Sequence, residues 1–456
     1  MSAIAFSLGG IGLTWLSGTL LVLVLCPRLN DRPLAIFLGW AVGVGVTSAV
    51  FFLAARLSAN PLLVSLPVEL AIIALLFWLA RRGKVTALTS EQISRREPHA
   101  PAVVVRIFWL AAIAAAGVAG IAWLAEPYGG WDGWALWNMK ARFLLEGGPQ
   151  AMELMAQHQL SWTHPDYPLL LPATVARAWA FGGEDSAFAA GVISTLFGVC
   201  TVGALVRVSA RLSSEWIGYV GGIALLTTPA FVRTASNEHA DIPFGFMMLS
   251  ATGVMLIARQ SGDRGGVALA GLIAGFAAWT KNEGLLFCVV LAATFVVFEV
   301  RSRRGSLVPW LVAGLAAPIA LVCWFKFTLV PPNDILAGQN SGSLARIVDW
   351  DRHSLIFHSF ARDLVAFGAW PSLVPLVALA LCLAGYVRRG FTEHSTALAA
   401  VLGLMVAGYY SVYLVSPFDL TWHLDSSLVR LLLQLWPLAL LLWAALFPLK
   451  AAARAG

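Results

Sequence analysis

The chain has 456 residues, of which 59% are hydrophobic and 12% charged, and its formal net charge is +6. That charged share is about half that of a soluble domain, and apolar runs of about 15 to 24 residues recur, near the roughly 20 a helix needs to cross a bilayer. A soluble enzyme and a barrel of alternating polarity are excluded. The composition predicts an all-α polytopic transmembrane helical bundle.

In chain order the apolar runs are 4–26, 34–55, 61–80, 107–125, 186–206, 214–232, 242–258, 266–280, 284–300, 307–328, 369–387, 395–415 and 431–447, about thirteen helices. The opening "MSAIAFSLGG" has no basic n-region, so a cleaved signal peptide is not expected. Threading the spans alternately puts most bases on one side, among them Arg28, Arg81, Arg82, Arg207, Arg211, Arg259, Arg301 and Arg388. By the positive-inside rule that side is cytoplasmic. The N-terminus is then expected outside and the C-terminus inside, and no nucleic-acid partner is expected. The polar stretch 81–101 is the best boundary, dividing N-terminal helices and linker (1–106) from a core (107–456).

The same threading gathers the acids outside. Two long outer segments, about 126–185 and 329–368, are too rich in Trp, Phe and Leu to be disordered. They are read as partly helical pieces lying on the outer membrane surface. The five cysteines lie in apolar runs with no close pairing and read as core residues.

"EPYGGWDGWALWNMKARFL" (126–144) sets Glu126 and Asp132 among glycines and tryptophans. Trp131, Trp134 and Trp137 read as an interfacial belt. Asp132 follows a glycine turn at the membrane boundary, where a carboxylate needs a partner or water, so a functional role is the default. "HPDYPLLLP" (164–172) places His164, Asp166 and Tyr167 in a proline-fixed turn that is either loop chemistry or the lining of a polar cavity. In "NEHADIPFGFMML" (237–249), Glu238, His239 and Asp241 precede a helix, which Asp241 is expected either to cap or to join to a site. "GLIAGFAAWTKNEGLLF" (271–287) interrupts an apolar run at Lys281 and Glu283, and its Gly271 and Gly275 permit close helix packing. A lysine at such a break suits an anion; pairing with Glu283 or Asp132, or snorkelling, is the plain alternative. In "SPFDLTWHLDSSLVRLLLQLWPL" (416–438), Asp425, Ser426 and Ser427 are expected to cap the last helix. Arg430 then sits one turn inside it, and arginine's planar fork suits phosphate. Pairing with Asp425, or snorkelling to the surface, is the alternative. Outer histidines, His423 among them, form no HExxH pattern, so no metal site is expected.

These pieces, in this order and on one membrane side, resemble the GT-C superfamily of membrane glycosyltransferases. The likeness is to the bacterial branch similar to protein O-mannosyltransferases and the lipid A aminoarabinose transferase, and it covers about 107–445. It rests on "GGWDGWALWNMKAR", "HPDYPLLLP", "GGEDSAFAAGVISTLFG", Asp241 opening a helix, "GLIAGFAAWTKNEG" and a late Arg430. The chain departs from the family pattern in its three extra N-terminal helices and in having no second acid directly after Asp132, and no soluble C-terminal domain is expected.

The resemblance implies a GT-C-like fold and an inverting transfer of sugar from a polyprenyl-phosphate donor to a glycan, lipid or protein hydroxyl outside the membrane. A bacterial inner-membrane location and no required cofactor go with it. On this reading Asp132 is the base, Lys281 and Arg430 hold the donor phosphate, and Glu126, His164, Asp166, Tyr167, Glu238, His239, Asp241, Glu283, His423 and Asp425 support them or touch sugar or acceptor. The alternatives are a lipid-linked glycan transporter or flippase, against which the one-sided charge and the lack of an inverted repeat argue, and an O-antigen ligase-like transferase.

Overall fold

The computed structural model describes residues 2–29, 31–82, 100–302, 305–370 and 392–447. Among these no strand occurs, and ten helices are long and apolar enough to cross a membrane. They are α1 (Ser2–Leu25), α2 (Arg32–Leu57), α3 (Pro61–Arg82), α4 (Ala102–Ala125), α7 (Ala187–Leu212), α10 (Asp241–Ser261), α12 (Glu283–Arg301), α13 (Val308–Trp324), α15 (Glu393–Val415) and α16 (Leu420–Ala445). Shorter helices fill the gaps: α5 (Met139–Glu146), α6 (Leu170–Gly182), α8 (Glu215–Leu226), α9 (Pro229–Ser236), α11 (Arg264–Thr280) and α14 (Trp350–Val365). The protein is a multi-pass membrane protein.

Helix starts follow capping chemistry. Asp31 accepts from the Leu34 N–H at 2.9 Å and Asp263 from that of Gly265 at 3.2 Å, each satisfying an orphan donor of the first turn. Thr392 and Ser395 form a reciprocal capping box at α15.

Three expectations are corrected. The run 214–232 is not one helix: Pro229 lacks an N–H and opens a new helix, so α8 stops at Leu226. The last helix begins at Leu420, ahead of the cap expected at 425–427, with Asp419 accepting from Trp422 N–H at 2.8 Å. Asp425, Ser426 and Ser427 therefore lie inside it, not at its cap, because the helix runs polar for several turns before its apolar part. Asp241 is the first residue of α10 and makes no capping bond; the cap position is Ala240. The expected span 369–387 and most of the 81–101 boundary fall outside the described residues.

Helix α10 is the axis of the bundle. Its apolar window is wholly buried, and it packs against α7, α11 and α16. Close approach of α11 to α13 depends on the small residues that the sequence singles out. A Cβ on Gly271 would stand 2.4 Å from the Leu311 carbonyl oxygen, and one on Gly275 would stand 2.7 Å from Pro318 Cβ.

The first three helices are fastened into this bundle. Both α1 and α2 pack on α6, and α2 reaches α7 and α11. Arg177 of α6 pairs with Glu69 of α3, both side chains 2% exposed, and also donates to the Gly10 carbonyl at 2.8 Å and Thr14 Oγ1 at 2.9 Å. Removing one member of such a buried pair typically costs about 3–5 kcal/mol, so these contacts fix how α3, α1 and α6 meet.

Candidate active site

At one face of the bundle α4 and α11 end and α10 and α12 begin, so their termini meet there. The turn after α4 comes first. Gly129 holds φ +74°, and a Cβ there would lie 2.4 Å from the Asn237 carbonyl oxygen, so only glycine fits. The turn delivers Asp132 to the start of a π-helical stretch, Gly133–Asn138, a widened geometry frequent at functional sites. Of the three tryptophans, Trp131 and Trp134 are exposed and meet edge to face at 4.9 Å. Trp137 departs from the belt reading: it is buried and stacks on Tyr167.

Five charged groups then form one chain of contacts. Arg430 Nη1 lies 2.7 Å from Asp132 Oδ2, and its Nε donates to Asp241 Oδ2 at 3.0 Å. Lys281 Nζ donates to Asp241 Oδ1 at 2.8 Å and reaches Glu283 at 3.1 Å. Gln434, one turn beyond Arg430, donates to Asp241 Oδ1 at 2.6 Å. Asp241 is wholly buried and so is the anchor, while the Arg430 side chain keeps 32% exposure and that of Asp132 17%. His239 Nδ1 stands 3.9 Å from Asp241; burial, with Arg430 beside it, holds its imidazole below the ordinary range and favours the neutral ring.

A second cluster adjoins the first through Asn282, the residue between Lys281 and Glu283. Asp166 accepts from Asn282 Nδ2 at 2.8 Å, Asn333 Nδ2 at 2.9 Å and Lys326 Nζ at 3.1 Å. Burial alone would push its carboxyl up, but Lys326 and the two amides outweigh this and hold it below the usual range. Tyr167 lies between the clusters, sandwiched by His164 (ring centroids 4.7 Å apart, 12° between planes) and Trp137. Burial first, then Glu283 and Asp166, push its phenol well above the ordinary range, so it is a donor and not an anion. His164 also meets Asp334 at 3.0 Å.

Beneath this floor Lys140 is wholly buried against the faces of Trp137 and Tyr167 and donates to the His164 carbonyl at 2.6 Å. Burial pulls its ammonium down to about 7; Asp166 opposes this and Lys326 adds to it. Glu126 is exposed and takes only a long contact, 3.4 Å, from Asn237. Glu238 is buried beside Asn138.

Asp132, Asp241, Lys281, Glu283, Arg430 and His239 are thus brought together, with Asp166, Tyr167 and His164 alongside. His423 and Asp425 are not in this cluster. His423 bonds Ser416 Oγ at 2.8 Å, and Asp425 pairs with Arg362 at 3.0 Å, not with Arg430. The sequence reading missed Lys326, Gln434, Asn282, Asn333 and Lys140. Lys326 and Gln434 carried a usable signal, being polar residues within apolar runs. A cavity of about 180 Å³ lies at the other end of α10, between Arg28, Arg211, Gln260 and Asp263. Its arginines stand by the C-terminal ends of α1 and α7, where cations complement the helix dipoles.

An anchored arginine and lysine under a carboxylate, at the ends of apolar helices, can neutralise a lipid phosphate and accept a proton beside it. The chain resembles GT-C membrane glycosyltransferases of the protein O-mannosyltransferase kind. Residues 166–325 match the family described as dolichyl-phosphate-mannose-protein mannosyltransferase. The chain is 26% identical over 277 residues, 54% of its length, to the polyprenol-phosphate-mannose–protein mannosyltransferase of Mycobacterium tuberculosis, in strains CDC 1551 / Oshkosh and ATCC 25618 / H37Rv alike. It spans 51% of those relatives' length. No solved structure gives a significant match.

Proposed function

We propose that the chain is an inverting glycosyltransferase that moves a sugar from a polyprenyl-phosphate donor to an acceptor hydroxyl at the outer face of a bacterial inner membrane. The observation that supports this best is the contact chain Asp132–Arg430–Asp241–Lys281–Glu283 at one bundle face. The relatives' names make mannose the first sugar to test and a protein hydroxyl the first acceptor.

On this reading Arg430 does two jobs. Its Nε stays on buried Asp241, which fixes the direction of the fork. Its Nη1 holds Asp132 until an anion arrives. The donor phosphate competes for that edge and frees the Asp132 carboxylate. The acceptor oxygen then attacks the anomeric carbon from the face opposite the phosphate and passes its proton to Asp132 as the bond forms. The anomeric carbon–oxygen bond to phosphate breaks, and the electron pair leaves with polyprenyl phosphate, whose charge Lys281 and Arg430 stabilise. The apolar helix faces hold the prenyl tail and so orient the sugar.

The basic bias of the opposite loops supports an outer position for this face. A cysteine introduced at Gly342 should react with an impermeant thiol reagent in intact cells; labelling only after lysis would move the site to the cytoplasm. Activity is tested by reconstituting the protein with radiolabelled polyprenyl-phosphate mannose and serine- or threonine-rich peptides. Label transferred to peptide with release of polyprenyl phosphate is the expected result. Donor crossing the bilayer without consumption would instead make the protein a transporter.

A further inference from the structure

Glu238 is a buried carboxyl group that the transfer chemistry does not use. It is 2% exposed and adopts φ +57°, a left-handed backbone that a side-chain-bearing residue rarely holds without reason. Its N–H donates to Ser194 Oγ at 3.1 Å. One carboxyl oxygen, Oε2, accepts from Asn138 Nδ2. The other, Oε1, is buried and accepts nothing, and the same is true of Asn138 Oδ1.

Two dehydrated acceptors without donors, one on each side chain of a single contact, would each bear their full desolvation cost. One proton removes both deficits. A protonated carboxyl presents O–H and C=O along one edge, and a primary amide presents C=O and N–H along its own, so the two are complementary. We infer that Glu238 is a neutral carboxylic acid in the folded protein, that it donates to Asn138 Oδ1, and that this acid–amide clasp fastens the Asp132 turn to the entry of α10.

The placement gives the clasp its consequence. Asn138 closes the π-helical turn that Asp132 opens, and it also donates to the Tyr128 carbonyl at 3.3 Å. Glu238 stands just before Asp241, and its Cβ lies 3.2 Å from where a Cβ on Gly129 would be. The clasp therefore joins the two segments whose carboxylates share Arg430. Around it α7 offers Ser194, the turn carries Glu126 and Asp132, α5 carries Lys140, and the same segment carries His239 and Asp241. None of these makes an ion pair with Glu238. Burial pushes the Glu238 carboxyl up to about 7, against the opposing pull of the Asn138 hydrogen bond. Losing the proton would leave two orphan acceptors and a buried charge under the turn. Glu238 is thus a positioning residue, and the clasp rests on geometry that stands whether or not the sugar-transfer reading does.

The sign follows from linkage. The folded carboxyl titrates near 7 and the unfolded one near 4.5. Stability from the neutral acid is fully present below about pH 4.5 and is lost as pH rises through about 7. Glutamine keeps the two-bond pairing and carries no charge. Glu238→Gln should fold and should gain melting temperature over the wild type as pH rises from 4.5 to 7, with a constant difference above. Glu238→Ala and Asn138→Ala should be less stable than wild type at pH 6. Infrared difference spectra of the full chain in detergent should show a protonated-carboxyl stretch at pH 6 that fades through about pH 7 and is missing in Glu238→Gln. A spectrum without that band, or a Glu238→Gln protein that fails to fold or melts with Glu238→Ala, would overturn the clasp.

Discussion

At each end of α10 an arginine is shared by two carboxylates. At one face Arg430 bridges Asp132 and Asp241; at the other Arg259 meets Glu299 and Glu393, each at 2.7 Å. The helix between them is 21 residues long, roughly 30 Å, so the two sites lie about one hydrocarbon thickness apart. Their chemistry is alike but their closure is not. Arg259 is 7% exposed and spends further donors on Ser302 Oγ at 3.1 Å and the Phe298 carbonyl at 3.4 Å, which ties off the end of α12. Arg430 keeps nearly a third of its surface open, and one of its two partners rides on a glycine turn. An arginine buried among several partners stabilises; one left nearly a third open, with a partner that an anion can replace, can also serve chemistry. Ion pairing alone does not mark a site.

The comparison breaks most sharply at Asp132. Asp132→Asn keeps the shape and a contact to Arg430 but removes the proton acceptor of the proposed transfer. Turnover at saturating donor should fall on the order of 10²–10⁴-fold, the usual worth of a general base, while donor binding and melting temperature hold. Glu126→Gln, on an exposed residue with one long contact, should cost far less. Near-normal turnover in Asp132→Asn would assign the base elsewhere. Arg430→Ala should weaken donor binding by roughly 10- to 150-fold, the range of one or two charge-assisted hydrogen bonds. Arg430→Lys should recover only part of this, because the bidentate fork is lost. Titration calorimetry with polyprenyl phosphate decides it.

The opposite end should answer in the other currency. Arg259→Met leaves Glu299 wholly buried without its partner and should cost about 3 kcal/mol of stability, read as a lower unfolding midpoint in detergent. Turnover per folded molecule should be unchanged. A loss of turnover without loss of stability would mean that the two faces are coupled and not merely similar.

How much of this the sequence shows depends on whether a residue interrupts a pattern. Lys281, Glu283 and Asp132 break apolar runs at helix ends, and threading the spans alternately across the membrane places them on one side. Arg430 falls inside the last helix in the sequence as in the structure, but the cap expected at Asp425, Ser426 and Ser427 puts the helix start too late, because polar residues ahead of an apolar window look like a cap although the hydrogen-bonded helix runs on through them. That misplacement made Asp425 a neighbour of the site, whereas it pairs with Arg362. Lys140 and Asn138 look like ordinary polar positions of an interfacial helix. Nothing local tells that the turn folds inward and buries them; that follows from Trp137 stacking on Tyr167, a contact across 30 positions of sequence.

Lys140 sharpens the comparison last, because it should make the site face respond to alkaline pH while the Arg259 face does not. It is wholly buried, and its surroundings are the rings of Trp137 and Tyr167, the His164 carbonyl, and the charges of Asp166 and Lys326. Burial lowers its ammonium from 10.5 in the open chain to about 7. The sign is therefore opposite to that of Glu238. Between these values the unfolded chain binds the extra proton and the folded chain does not, so stability rises with pH from about 7 toward 10.5 and is lost as pH falls through 7. The slope should approach about 1 kcal/mol per pH unit, the size of one proton difference. Lys140→Met keeps most of the stem's packing and removes the titration, so its stability should be flat across this window relative to the wild type. It also gives up the bond to the His164 carbonyl, which should lower stability by about 1 kcal/mol at pH 9. Chemical unfolding of both proteins at pH 7, 8 and 9 separates the two effects: a slope difference reports the buried ammonium, and a uniform offset reports the lost bond. Parallel curves would mean that Lys140 reaches water and keeps its charge, and the floor of the site would then be open from below.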